Sequence, residues 1–206
     1  MEIIEIEGLD KSGKNTVTDR LYEYFISKGL NVVKSSFHRY DTPTGKLIQA
    51  WLYGQYAVDT ETIKLIMVAD KQAQQLWFKE LEFKGVDILL LDRYYASNLV
   101  YSKNEDVDID WIYAIQSQLR KPDISILLDI SAETSISRKG QHGENDRYEK
   151  NLAFLKQVRK TYLEYFEERE YGKTMEGNAI ILRDIDNLTK DEVFYATLDR
   201  LIPLLK

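Results

Sequence analysis

The sequence predicts an α/β protein, a three-layer α/β/α fold on a parallel sheet, from two features of its pattern. Extended and helical stretches alternate along the chain. The central extended runs Val86-Asp87-Ile88-Leu89-Leu90-Leu91, Ile124-Ser125-Ile126-Leu127-Leu128 and Ala179-Ile180-Ile181-Leu182 are apolar almost throughout, as strands covered by helices on both faces require. In such a fold, ligands gather at the carboxyl ends of the strands.

The elements follow in order. Ile3-Ile4-Glu5-Ile6 opens as a strand and runs into a glycine-bounded loop. Val17 to Lys28 carries apolar residues at Val17, Leu21, Tyr24 and Phe25, the spacing of a helix, and Gly29 supplies the left-handed stop before Val32-Val33. Together they form one βαβ unit. Glu61 to Lys84 is expected as one long helix. Tyr148 to Tyr171 is expected as another, with Leu152, Leu155, Val158, Tyr162 and Phe166 on one side.

The 206 residues contain three prolines and neither a Ser/Gly-rich linker nor a repeat, so one domain over 1–206 is expected. With no cysteine and two histidines, a disulfide framework and a Cys/His zinc site are excluded, and the chemistry falls to Asp, Glu, Arg and Lys. The acidic, strand-like opening is not a secretory signal and no apolar run approaches spanning length, so a cytoplasmic protein without membrane contact is expected. A net charge of -6 argues against nucleic acid as a partner.

Three motifs carry the chemistry. The first is Gly8-Leu9-Asp10-Lys11-Ser12-Gly13-Lys14 between strand and helix, whose glycines let backbone N–H groups turn inward while Lys14 and the helix N-terminus face an anion. It implies a nucleoside triphosphate. The residue after the lysine is ordinarily Ser or Thr, whose hydroxyl holds Mg²⁺; here it is Asn15, followed by Thr16. The second motif is Asp92-Arg93-Tyr94 at a strand end, a carboxylate able to face a metal beside a planar fork for a second phosphate. The third, Ser137 to Tyr148, is polar and cationic, with Arg138, Lys139 and Arg147 around two glycines, and reads as a lid that brings positive charge onto a transferring phosphoryl group.

These residues resemble the thymidylate kinases. The likeness lies in Glu7-Gly8-Leu9-Asp10, in Phe37-His38-Arg39-Tyr40-Asp41-Thr42-Pro43-Thr44-Gly45-Lys46, in Ala69-Asp70-Lys71, in Asp92-Arg93-Tyr94-Tyr95-Ala96-Ser97-Asn98 with Tyr101, in Lys121-Pro122-Asp123 and in Arg147-Tyr148-Glu149, six blocks in the family's order. The resemblance implies a P-loop kinase fold with a helical lid over about 138–148, ATP and Mg²⁺ as cofactors, small nucleotides as partners and a homodimer. It implies that Gly8, Asp10, Lys11, Ser12, Gly13, Lys14, Asn15, Thr16 and Arg147 bind ATP, with Asn15 and Asp92 at the metal. It assigns the acceptor monophosphate to Asp10, Arg39, Met67, Lys71, Arg93, Ser97, Asn98, Tyr101 and Tyr148, with Tyr101 crowding the place of a ribose 2′-hydroxyl. Lys14, Arg93, Asp92, Lys11, Arg138 and Lys139 are the expected catalytic set.

Three positions depart from the family. Lys71 stands where arginine is usual, Met67 where phenylalanine stacks on the base, and Asn15 where a hydroxyl is usual. The first two point to a looser base pocket and the third to weaker magnesium binding. The expected reaction is transfer from ATP to a deoxypyrimidine monophosphate, dTMP before dUMP or a 5-modified dUMP. The rival readings are a deoxynucleoside kinase and a nucleotide-binding regulator without turnover.

Overall fold

The computed structural model describes residues 1–138, 151–170 and 177–205. Among these, strands β1 (Glu2–Glu7), β2 (Val32–Ser36), β3 (Ile88–Asp92), β4 (Ile124–Leu128) and β5 (Asn178–Leu182) form one parallel sheet in the order β2-β3-β1-β4-β5. Strand β1 is central, with Ile6 level with Asp92 of β3 and Glu7 level with Leu127 of β4. That register brings the ends of three strands, and the loops that leave them, to one edge.

The two-residue period of the strands divides the core. Ile4, Ile6 and Leu90 pack on one face with α1 (Lys14–Ser27), α8 (Leu152–Glu170) and α9 (Lys190–Leu201), while Ile3, Leu89 and Leu91 pack on the other with α4 (Gln75–Phe83). Both faces are covered, which is why these runs carry so few polar residues. Intervening helices are α2 (Pro43–Leu52), α3 (Thr60–Ala73), α5 (Tyr95–Lys103), α6 (Ile109–Ile115) and α7 (Ala132–Ser137). A smaller cluster of Ile48, Trp51, Ile63 and Met67 joins α2 to α3.

Local chemistry sets the helix ends. Thr42 accepts the Gly45 N–H ahead of Pro43, Asp59 accepts the Thr62 N–H, and Thr189 with Glu192 forms a reciprocal capping box. The helix expected over Glu61 to Lys84 is instead two, α3 and α4, divided at Gln74. The Gln75 side chain donates to the Lys71 carbonyl at 3.0 Å and to the Tyr94 hydroxyl at 3.1 Å, taking the place of the backbone bond that a continuous helix would make there. Among the described residues no helix is long and apolar enough to cross a membrane.

Candidate functional site

The loop after β1 is shaped by two glycines. A Cβ on Gly8 would lie 2.5 Å from the Leu128 carbonyl oxygen, and Gly13, at φ 100°, starts α1 from a left-handed conformation. Only glycine suits both places. Lys14, buried at 7 % exposure, folds back over the loop, donating to the carbonyls of Gly8 and Leu9 at 3.3 and 2.9 Å, with its ammonium 3.9 Å from the Asp10 carboxylate. Burial lowers its pKa, against the pull of Asp92, Asp10 and Glu7. A phosphate group in this loop would give the ammonium a stronger partner than two carbonyls.

The Asp92–Arg93 turn stands beside it. Arg93 has a left-handed backbone, φ 63°, and its N–H donates to the Ile6 carbonyl at 2.9 Å, so its side chain leaves the sheet edge toward β1. Its fork donates to Asp10 at 2.5 Å, to the Ser97 hydroxyl at 3.2 Å and to the Tyr162 hydroxyl at 3.2 Å. Burial pulls the Asp10 carboxyl upward, but Arg93, Lys14 and Lys11 outweigh it and hold Asp10 ionised below its ordinary value. Burial raises Asp92 more than Lys14 and Arg93 lower it.

Two carboxylates on β1 hold this turn in place, and sequence reasoning had no role for them. Glu7 accepts the Tyr94 N–H at 3.0 Å, the Ser97 N–H at 3.1 Å, the Ser97 hydroxyl at 2.6 Å and the Tyr162 hydroxyl at 2.9 Å. Glu5 accepts the Tyr95 N–H at 2.8 Å and the Ser125 hydroxyl at 2.6 Å, with Arg169 at 3.7 Å. Both are 0 % exposed. The first N–H groups of α5, which lack partners within their own helix, are thus capped by a neighbouring strand. The signal was present as two glutamates, i and i+2, on one face of β1, where both are fully buried, unlike Glu2 at the strand's start.

Asp70 does similar work on the loop after β2. It accepts the Arg39 N–H at 3.1 Å, the Thr42 and Thr44 hydroxyls at 3.0 and 2.8 Å, and a bond with His38 Nδ1 at 3.2 Å. Burial raises its carboxyl, yet these bonds bring it down to about 2; burial, with Lys71 nearby, pushes His38 down to about 4.

The expected residues fall into three adjoining hollows. A cavity of about 110 Å³ is lined by Asp10, Met67, Arg93, Ser97, Asn98 and Tyr101, together with His38 and Tyr40 of the Phe37–Lys46 block and with Lys64, to which the sequence assigns no role. A cleft beside it is lined by Asn15, Asp92 and Arg39. A third, walled by Ile185, Leu188 and Val193, opens over Lys11, Ser12, Gly13, Thr16 and Arg138. Arg138 donates to the carbonyls of Lys11 and Asp186, at 3.0 and 3.1 Å, tying the loop to that wall.

Arg39 and Lys71 do not line the first cavity. Arg39 turns to Asp41, at 3.0 and 3.1 Å, and its guanidinium lies 5.6 Å over the Trp77 ring. Lys71 is 1 % exposed, and the attraction of Glu7 and Asp70 only partly offsets the burial that brings its pKa down to about 8. Lys139, Arg147 and Tyr148, and with them the expected lid beyond Arg138, lie outside the described residues.

The family model for thymidylate kinases matches residues 6–180 of this chain, a span that takes in the phosphate loop, the Asp92–Arg93 turn and the first cavity. The chain belongs to the thymidylate kinase family. A probable thymidylate kinase of Saccharolobus solfataricus is 34 % identical over 82 % of this chain and 86 % of its own length. One from Methanococcus aeolicus is 30 % identical over 98 % of this chain and 96 % of its own. The solved structure of a thymidylate kinase from Candida albicans superposes with a TM-score of 0.80 at 25 % identity, over 98 % of this chain and 91 % of that one. Of Met67, Lys71 and Asn15, only Met67 lines the first cavity.

Proposed function

We propose that the protein transfers the γ-phosphoryl group of ATP to the phosphate of dTMP, giving dTDP and ADP. The observation that carries this reading is the Lys14–Asp10–Arg93 chain of ionic contacts, 3.9 and 2.5 Å, which joins the phosphate loop to the first cavity and so spans the line a phosphoryl group would travel. In the reaction an oxygen of the dTMP phosphate attacks the γ-phosphorus, and the bond to the β–γ bridging oxygen breaks. The attacking oxygen is already anionic, so no strong base is required, and the protein's part is alignment and charge neutralisation.

On this reading Lys14 and the N–H groups of the loop hold the β- and γ-phosphates. Arg93 holds the acceptor phosphate and Asp10 accepts from the sugar 3′-hydroxyl. Ser97, Asn98, Met67 and Tyr101 surround sugar and base. Arg39 lies in the cleft between the two phosphates' places, able to reach the acceptor once it leaves Asp41. Arg138, with Lys139, adds positive charge on the donor side, and Arg147 with the Ile185–Leu188 wall brackets the adenine.

Mg²⁺ fits as a cation carried mainly by the phosphates. Among the described residues no group of three His, Asp or Glu could hold a metal, whereas the Asn15 amide oxygen and the Asp92 carboxylate offer hard oxygen donors in one cleft. Bound there, it would neutralise charge developing between the β- and γ-oxygens. We also read the protein as cytoplasmic, homodimeric and independent of nucleic acid. Leu76 and Phe83, exposed on α4, favour a dimer, and the charge of -6 favours the last point.

The test is ADP release measured with a panel of nucleosides and monophosphates. Turnover should require a 5′-monophosphate, be fastest with dTMP, and fall at least about a hundredfold in Lys14→Met. Turnover with thymidine and none with dTMP would make the protein a nucleoside kinase instead.

A further inference from the structure

The first cavity holds a second cation besides Arg93. Lys64, fully buried on α3 three residues before Met67, lines it, and its ammonium forms an ion pair with Glu105, just beyond the end of α5. Arg93 stands before the first residue of that same helix, whose nine residues span about 13 Å. The two cations therefore sit toward opposite ends of α5. Between them Asn98 donates through Nδ2 to Gln116 at 3.2 Å, and its buried Oδ1 has no hydrogen-bond partner among the described residues.

An ammonium carries three N–H donors, and one carboxylate does not use them all. Buried donors and acceptors left over in this way are costly unless a ligand completes them. A uracil-type base presents a ring carbonyl beside a ring N–H, the complement of an ammonium and an amide oxygen. Cytosine presents an amino group and a bare ring nitrogen at the same two places, which sets donor against donor and acceptor against acceptor.

Resting on the acceptor assignment above, we propose that Lys64, held by Glu105, donates to a ring carbonyl of the acceptor base while Asn98 accepts from the neighbouring ring N–H. This pair, and not Lys71, selects dTMP over dCMP. Lys71 lies two helical turns further along α3, its attraction shared between Glu7 and Asp70, and does not line the cavity.

Lys64→Met alone would strand the Glu105 carboxylate, so the decisive variant is Lys64→Met/Glu105→Leu, with Lys64→Gln/Glu105→Gln as a second that keeps a neutral polar pair. Each is checked for folding by thermal unfolding and compared with wild type and Lys71→Met. The readings are kcat/KM for dTMP, dUMP and dCMP, the KM for ATP, and dTMP affinity by calorimetry. The dTMP-to-dCMP ratio should fall at least tenfold in either double variant that folds, with the KM for ATP within about twofold of wild type and Lys71→Met keeping the ratio within about threefold. A ratio unchanged in a folded double variant, or one that collapses in Lys71→Met instead, overturns the assignment of Lys64. Wild type inactive on every monophosphate would overturn the function itself, a separate result.

Discussion

Glu7 and Ser97, ninety residues apart in the chain, meet through two hydrogen bonds: the Glu7 carboxylate accepts both the hydroxyl of Ser97, at 2.6 Å, and its N–H, at 3.1 Å. The contact fixes the first turn of α5 against β1, and through it the placement of Arg93. The consequence is a positioning role for a residue that lines none of the three hollows.

Glu7→Gln keeps an acceptor oxygen but removes the charge and one of the two acceptors. Loss of charge-assisted bonds of this kind costs about 1.5–3 kcal/mol each when nothing replaces them. The variant should unfold at lower denaturant concentration and lose kcat/KM for the monophosphate, while the KM for ATP changes little. Equal losses toward both substrates, at unchanged stability, would remove the positioning role.

Arg93→Ala tests the fork directly. Removing a charge-assisted pair to the acceptor phosphate should lower kcat/KM for dTMP by about 2 kcal/mol or more, roughly thirtyfold, mainly through KM, with the KM for ATP altered far less. Steady-state kinetics with each substrate varied in turn decides it, and a larger effect on ATP would move Arg93 to the donor side.

The pH dependence of stability contains two opposed slopes. Burial raises Glu5 from 4.5 to about 7, with Glu7 adding to the rise and Arg169 opposing it, so between those values the folded protein binds a proton that the unfolded chain releases, and stability falls as pH rises. His38 is lowered from 6.5 to about 4, so there the unfolded chain binds the extra proton and stability rises with pH. Over about 4.5–6.5 the two act against each other. Glu5→Gln removes the first, and urea midpoints of the variant should climb more steeply with pH across that window than those of wild type. Parallel profiles would mean that Glu5 titrates as it does in the unfolded chain.

Asn15 bears on magnesium. Its amide can give an oxygen to the ion or to a water on it, but lacks the hydroxyl that donates and accepts at once. Asn15→Thr should lower the Mg²⁺ concentration needed for half-maximal rate by several-fold at constant ATP, read from a metal titration of the initial rate. A titration curve that does not move would place the ion's protein contacts elsewhere, with Asp92 the first alternative.

How far the sequence reaches depends on how local each feature is. The phosphate loop and the Asp92–Arg93 turn are contiguous and need only their neighbours to be recognised, so both were visible, as were the strands whose apolar runs follow from burial on two sides. The positioning role of Glu7 was not, because its partners Tyr94, Ser97 and Tyr162 lie 87, 90 and 155 residues away. Lys64 reads in isolation as a solvated helix residue, and only the fold brings Glu105 against it. The division of α3 from α4 depends on Gln75 finding Lys71 and Tyr94 together, and no periodicity encodes that.

The Asp10–Arg93 pair makes the site a poor trap for anions that carry no proton to donate. The guanidinium already faces a carboxylate of the protein's own, so sulfate, which has no proton to donate, must displace an ionised neighbour and give it nothing in return. On the proposed assignment, a nucleotide brings a sugar hydroxyl as well as a phosphate, and the Asp10 it displaces from the fork would gain a donor elsewhere on the same molecule. Two partners would then exchange at once, and selectivity against a sulfate-like anion would come from an internal competitor, without any steric barrier.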